Sequence, residues 1–379
     1  MNQKLRLSCV SVATAALAAA ATLAASPAQA GDQHFTFTKH TTKRSVTKTA
    51  TGSRTAMSTT AAPVYRIAGA DRIQTAIAAS KGWADAGSAE GTASSVILSR
   101  FDEYADALGG AALAGAAVGP LLMTPPTSLN ADVKAEIDRV LGGKGTVYVL
   151  GGVGAISADV ETALTTAGYT VVRLAGADRF DTSVKVAEEV GKLAPAGKPQ
   201  FVFATTGLNF PDGLAAGATA GGYWASVVLT RDNTLTPSVQ GYLDAMHTAG
   251  VDEYAVGGAA ANVARTWDYA FNGADRYSTA AAVAEGFWAD ASTPNDDPTA
   301  IGLATGMNWP DALAGGAFMA GGGPLVLCRT DSLPTPTSTV IQTIVASGDP
   351  SPVQFGFVFG GEDVVGATPT NAFATLLGN

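Results

Sequence analysis

Gly69-Ala70-Asp71-Arg72 is repeated as Gly176-Ala177-Asp178-Arg179 and again as Gly273-Ala274-Asp275-Arg276. The intervals between these copies are 107 and 97 residues. A threonine follows each copy at one fixed offset, at Thr75, Thr182 and Thr279. A short motif that returns at a nearly constant interval indicates tandem copies of one structural unit.

Further landmarks follow each tetrapeptide in the same order. An Asp-Ala/Gly-Leu element begins at Asp106, Asp212 and Asp311. An apolar run comes next (121–123, 227–229 and 325–327), and then a run that ends in Gly-Gly (149–152, 255–258 and 358–361). Because the whole ordered set occurs three times, the sequence predicts three like modules, at residues 63–171, 172–268 and 269–379.

Each copy alternates short apolar runs with stretches of helical periodicity. In the first copy, Val64–Ile67 and 96–98 are predicted strands, and Asn130 to Leu141 is a predicted amphipathic helix. Alternating strands and helices predict an α/β fold with mainly parallel sheets. The shorter second interval predicts that residues 249–272 lack a full helix or a full strand. We expect the Ala/Gly-rich helices, such as 111–116, to pack on their own sheets; tight contact between modules is the alternative.

The N-terminal residues have the pattern of a secretory signal peptide, at 1–30. Lys4 and Arg6 precede an Ala/Leu/Val-rich stretch, and Ala28-Gln29-Ala30 forms a small-x-small cleavage site. Residues 31–62 are rich in Ser, Thr and Lys and are predicted to be a disordered basic tether. No transmembrane segment is predicted. Removal of the signal leaves Cys328 as the one cysteine, which we expect on a buried strand.

Charge limits the partners that the chain can have. The formal net charge is −9, and the predicted tether is basic, so the three modules are strongly acidic. Such a body repels nucleic acid. An anionic ligand can bind only where several arginines converge.

The repeated Asp-Arg pair suggests two different roles. Asp71, Asp178 and Asp275 are predicted helix caps, and so are Asp106, Asp212 and Asp311, which precede small-residue helices. Arg72, Arg179 and Arg276 stand in the first helical turn, where a cation opposes the helix dipole. Either a salt bridge to an aspartate of a neighbouring module or an anionic ligand would compensate. Both are compatible if the arginines lie at module junctions.

The sequence disfavours catalysis. His247 is the only histidine beyond residue 62, and we expect it on a helix surface. No nucleophile elbow, phosphate-binding loop or cluster of zinc ligands is present in the sequence. We therefore predict no metal and no cofactor. A triplicated site fits multivalent binding to a repeating polymer.

The ordered set of Gly-Ala-Asp-Arg, Asp-Ala/Gly-Leu and Gly-Gly elements resembles the cell-wall-binding repeat 2 family of Gram-positive surface proteins. The resemblance covers residues 63–379. It implies three Toprim- or Rossmann-like modules packed as a pseudo-trimer within one monomer. It also implies noncovalent attachment to an anionic, teichoic-acid-like polymer of the wall. Together with the signal peptide and the lack of catalytic motifs, this predicts a secreted, non-catalytic protein. The family's arginine maps to Arg72, Arg179 and Arg276.

Two other functions stay open at this point. Asp and Glu are plentiful, so a cell-wall carbohydrate hydrolase that uses paired carboxylates is one alternative. A self-assembling surface-layer structural protein is the other.

Overall fold

The computed structural model describes residues 62–88, 91–289, 298–347 and 353–378, together with the backbone of two strands nearer the N-terminus. The predicted signal peptide lies outside these residues. Strands β1 (Gln33–Thr38) and β2 (Ser45–Ala50) pair in an antiparallel hairpin. The prediction of a disordered tether is therefore wrong for these strands. The alternating Thr, Phe and Val residues of these strands favour extended backbone. The prediction of disorder considered only the high content of Ser, Thr and Lys.

In the described residues, twelve further strands form three sheets of four strands each, and every neighbouring pair in them is parallel. The strands are β3 (Val64–Ile67), β4 (Ser95–Arg100), β5 (Leu121–Thr124), β6 (Thr146–Leu150), β7 (Thr170–Leu174), β8 (Phe201–Thr206), β9 (Ser226–Thr230), β10 (Asp252–Val256), β11 (Tyr269–Phe271), β12 (Ala300–Thr305), β13 (Leu325–Cys328) and β14 (Phe355–Phe359). The sheet orders are β5-β4-β6-β7, β9-β8-β10-β11 and β13-β12-β14-β3. The predicted α/β class with parallel sheets is confirmed.

Strand β3 belongs to the third sheet, where it pairs with β14 in the register Gly356 to Val64. The assignment of Val64–Ile67 to the sheet of copy one is therefore wrong. Each sheet takes its outer strand from the residues just before a Gly-Ala-Asp-Arg copy, and the third sheet takes β3, the strand before the first copy. This exchange closes the three modules into a ring.

The part of the chain that the structure describes has twelve helices, which connect and cover the sheets: α1 (Arg72–Ser80), α2 (Gly110–Ala117), α3 (Ala131–Leu141), α4 (Ala158–Thr166), α5 (Arg179–Leu193), α6 (Pro211–Tyr223), α7 (Pro237–Thr248), α8 (Gly258–Ala261), α9 (Arg276–Trp288), α10 (Pro310–Met319), α11 (Thr335–Ser347) and α12 (Ala367–Leu376). Helix α8 has only 4 residues, where α4 has 9 and α12 has 10. The prediction that residues 249–272 lack a full helix or a full strand is confirmed, and α8 is the shortened element.

The Ala/Gly helices α2, α6 and α10 meet one another at the centre of the ring, as well as packing on their own sheets. A Cβ added to Gly115 would collide with the backbone of Gly221, and one added to Gly221 would meet Ala111 O and Ala320 Cβ at 2.7 Å. The expected packing on the sheets is confirmed, and the alternative, contact between modules, occurs as well because glycine on one helix admits the backbone of the next. Tight contact between modules is what these residues provide.

Candidate functional site: the module junctions

Each Gly-Ala-Asp-Arg copy begins a helix that packs against the Ala/Gly helix of the preceding module. Helix α5 contacts α2, α9 contacts α6, and α1 contacts α10. The aspartate of each copy is the N-cap, and its carboxylate accepts backbone N–H hydrogen bonds. Asp71 accepts from Gln74 N at 2.8 Å, and Asp275 accepts from Ser278 N at the same distance. The arginine that follows is thus fixed in the first turn, at a junction.

The three arginines make the same set of contacts. In each, Nη1 donates to the carbonyl that follows a strand of the arginine's own module: Arg72 to Phe101 O, Arg179 to Gly207 O and Arg276 to Gly306 O. Within the described residues, Nε and Nη2 of these side chains form no hydrogen bond, and none of the three arginines has an ion pair within 4 Å. Each side chain is partly exposed. Donors therefore remain available at all three junctions.

An aromatic ring lies beneath each guanidinium. The Cζ atom is 5.5 Å from the ring centroid in the Arg72–Trp309 pair, 5.8 Å in Arg179–Tyr104 and 5.7 Å in Arg276–Phe210. In every case the ring belongs to the module on the far side of the junction. Cation–π attraction at this range holds the cation over the ring.

These aromatic residues were missed by the sequence analysis, although a signal was present. Tyr104, Phe210 and Trp309 each stand two residues before the aspartate of an Asp-Ala/Gly-Leu element. Their rings also approach one another: the centroid of Tyr104 is 5.6 Å from that of Phe210 and 6.3 Å from that of Trp309. The three junctions therefore share one aromatic centre.

The capping role predicted for Asp106, Asp212 and Asp311 is wrong. The N-caps of α2, α6 and α10 are Gly109, Phe210 and Trp309, without a side-chain cap hydrogen bond. The prediction failed because α2 starts later than expected, whereas α6 and α10 already include the aspartate in their first turn.

Instead, these three carboxylates lie against glycines of their own module. A Cβ added to Gly151, Gly257 or Gly360 would collide with, or closely approach, Oδ2 of Asp106, Asp212 or Asp311, respectively. All three glycines also have positive φ, between +87° and +107°. The Gly-Gly runs are therefore needed for a tight strand exit beside a carboxylate.

Burial raises the pKa of Asp106 and Asp311, and raises that of Asp212 from its usual 3.8 to about 6. Groups across the junction oppose this rise. The hydroxyls of Thr182, Thr279 and Thr75 and the charges of Arg179, Arg276 and Arg72 favour the ionised forms of Asp106, Asp212 and Asp311, respectively. Each arginine is thus electrostatically coupled to an aspartate of a neighbouring module.

Arg231 and Arg329, which follow β9 and β13, have partners of their own. Arg231 forms an ion pair with Asp178 at 3.3 Å, and Arg329 lies over the ring of Tyr277. His247 is exposed on α7, and Cys328 is fully buried on β13, as expected.

Within the described residues, no cluster of three or more His, Cys, Asp or Glu residues could hold a metal ion. No helix in that part of the chain is long and apolar enough to cross a membrane.

Three tandem α/β modules, closed into a ring by a shared strand and bearing an arginine at each junction, define a modular repeat protein with internal threefold pseudo-symmetry. The chain belongs to the Cell wall binding domain 2 (CWB2) family, whose model matches residues 66–161, 173–263 and 271–368.

Two solved structures from Clostridium difficile share this fold. Cwp6 has a TM-score of 0.68 at 20% identity over 92% of this chain and 51% of its own. Cwp8 has a TM-score of 0.67 at 23% identity over 83% of this chain and 52% of its own.

Among curated proteins, the N-acetylmuramoyl-L-alanine amidase LytC of Bacillus subtilis is 24% identical over 68% of this chain and 48% of its own length. The amidase enhancer of the same organism is 29% identical over 51% of this chain and 25% of its own. The chain thus spans half or less of the length of these two relatives.

Proposed function

We propose that the protein binds noncovalently and without catalysis to the bacterial cell wall, through an anionic, teichoic-acid-like polymer held at the module junctions. The observation that carries this proposal is the threefold recurrence of an arginine with free donors over an aromatic ring. Family membership supports the wall as the target. A secreted protein at the cell surface is part of the same proposal.

The arginines suit an anionic ligand because a guanidinium presents donors in a planar fork that matches phosphate and carboxylate oxygens. At each junction, Nη1 is fixed by a carbonyl, which leaves Nε and Nη2 to face a ligand. The ring beneath fixes the plane of the guanidinium. The entropy lost on binding is therefore small compared with that of a free surface arginine.

The threefold arrangement suits a polymer. Three weak contacts on one body gain avidity when the ligand repeats its charged group, since the second and third contacts become intramolecular. The aromatic centre shared by the junctions places the three cations around one region of the surface. A single polymer strand can then reach more than one arginine.

The test is sedimentation with purified cell walls. We expect the protein to sediment with intact walls and to stay in solution after the anionic polymer is extracted. The affinity for cell walls should fall at least about tenfold in a triple variant with Arg72→Ala, Arg179→Ala and Arg276→Ala. The control variant Lys134→Ala, Lys185→Ala and Lys192→Ala makes the same change in net charge away from the junctions and should bind normally.

Undiminished binding after extraction would contradict the assignment of the anionic polymer as the ligand. Undiminished binding by the arginine variant would show that the junctions are not the binding site. Release of sugar or peptide fragments from the walls, abolished by Asp106→Asn, Asp212→Asn or Asp311→Asn, would favour the hydrolase instead. Growth of large ordered particles in light scattering would favour the surface-layer alternative.

A further inference from the structure

A cavity lies between the sheet of the middle module and α9, near the end of α9 that is far from Arg276. Its volume is about 760 Å³, and its walls include Tyr254, Tyr269, Phe287, Asp252 and Glu285. It opens at the amino ends of β8, β10 and β11, beside the last turns of α6 and α9. Arg276 stands at the opposite end of α9, about 15 Å from Gly286 at 1.5 Å per residue. The cavity is therefore separate from the proposed polymer site.

The charges around this cavity favour a cation. Asp252 and Glu285 are exposed acids on its wall, and none of its described lining residues is basic. Helices α6 and α9 end here without a basic residue in their last turns. A helix C-terminus carries partial negative charge, which adds to that of the two carboxylates.

The walls also offer open aromatic surface. Tyr269 is 59% exposed, and its ring centroid is 4.7 Å from that of Phe271, which is packed in turn against Phe287 at 5.4 Å. Such a supported ring presents a rigid face to a ligand and attracts a cation placed near it. The hydroxyl of Tyr254 donates to Asp252 at 3.2 Å, which fixes the acid beside the rings.

This arrangement is specific to the middle module. The residue that corresponds to Tyr269 in the sheet of the third module is Tyr65, two residues before Ile67, and it is only 3% exposed. Beside it, Arg66 donates to Gly360 O, and Arg173 donates to Gly151 O in the first module. The middle module has Ala270 at that position and the short α8 in place of a full helix.

We propose that this cavity binds an amino sugar whose ring stacks on Tyr269 and whose ammonium group lies between Asp252 and Glu285. The exposed amide side chains of Gln200 and Asn272 on the same wall can hydrogen bond the sugar hydroxyls. Such a ligand is neutral or cationic and does not compete for the junction arginines. The site is independent of the proposed polymer binding.

Titration calorimetry with the whole chain tests the proposal, with glucosamine as the cationic probe and N-acetylglucosamine as its neutral counterpart on the same ring. We expect glucosamine to bind about tenfold more tightly. Asp252→Asn should remove that preference, and Tyr269→Ala should weaken both sugars. The control Asp159→Asn, an exposed acid on α4, should change neither.

Equal affinity for the two sugars, absence of saturable binding, or normal binding by Tyr269→Ala would each overturn the proposal. Circular dichroism of Tyr269→Ala establishes that the variant is folded; because Tyr269 is exposed, we expect an unchanged spectrum. The triple arginine-to-alanine variant should keep its affinity for glucosamine even if it no longer sediments with walls. Failure of the sugar-site proposal can therefore be distinguished from failure of the polymer-site proposal.

Discussion

Arg66 donates from Nη1 to Gly360 O at 2.7 Å and from Nη2 to Thr370 Oγ1 at 2.8 Å. The two ends of the folded region are joined by this side chain as well as by the β3–β14 pairing. Arg173 makes the matching contact to Gly151 O in the first module, at 2.8 Å. An arginine thus fixes the outer strand to the Gly-Gly turn in two of the three modules, and at Arg66 it also closes the ring.

Arg66→Ala should lower the free energy of unfolding by about 2 kcal/mol, because a half-buried charged donor loses two hydrogen bonds and leaves Gly360 O without its partner. Urea denaturation measures the change. Lys185→Ala is the control: its ion pair with Glu188 is exposed and should contribute less than about 1 kcal/mol. Equal losses in the two variants would show that Arg66 does not secure the ring.

The glycines between the central helices supply a second prediction. Gly115→Ala should destabilise the protein by about 2 kcal/mol or more, because the new methyl group collides with the backbone of Gly221 in a packed centre. Gly241→Ala on α7 is the matched control, since its Cβ meets nothing within 4 Å and alanine is the better helix former. That control should gain about 0.5–1 kcal/mol. Thermal unfolding of both variants decides the point, and a stabilised Gly115→Ala would contradict the packing described above.

Repetition in the sequence was enough to predict three α/β modules and the position of Asp71, Asp178 and Asp275 at helix starts. It could not predict the partner of β3, because the pattern within a strand does not specify which sheet edge the strand joins. Val64–Ile67 is next to copy one in sequence but pairs with β14. An assignment based on order along the chain therefore places β3, the strand that closes the ring, in the wrong sheet.

The junctions were predicted only in part. The arginines were identified because a cation in a first helical turn needs compensation, and the structure couples them to aspartates across the junctions. The rings of Tyr104, Phe210 and Trp309 were missed because an aromatic residue is ordinarily explained by a core. Only the shared offset from the following aspartate distinguishes them, and their contacts depend on modules that meet in space.

The raised pKa of Asp212 predicts a pH dependence of stability. In the unfolded chain this carboxyl ionises near its usual 3.8, whereas in the folded protein burial raises its pKa to about 6. Well below pH 3.8 it is protonated in both states; as the pH rises toward 6 the unfolded state loses its proton first and is favoured. The contribution of this group to stability is therefore present at low pH and is lost through pH 6, by at most about 3 kcal/mol.

Asp212→Asn tests this dependence, because the amide keeps the shape of the side chain and does not titrate. The fall in unfolding free energy between pH 4 and pH 7 should be smaller in the variant than in the unmodified protein, as measured by urea denaturation at each pH. Asp159→Asn, exposed on α4, should leave the fall unchanged. The prediction fails if Asp212→Asn and Asp159→Asn show the same pH profile.

Replacement of arginine by lysine separates charge from geometry at the junctions. In the variant with Arg72→Lys, Arg179→Lys and Arg276→Lys, each site keeps its positive charge but loses the planar fork that contacts a carbonyl and a ligand together. We expect wall affinity between that of the unmodified protein and that of the triple alanine variant, and a similar decrease with added salt, because salt screens the retained charge. Sedimentation with walls over a range of NaCl concentrations measures both quantities. If the lysine variant binds as tightly as the unmodified protein, net charge alone holds the polymer; if it binds no better than the alanine variant, the forked hydrogen bonds carry the interaction.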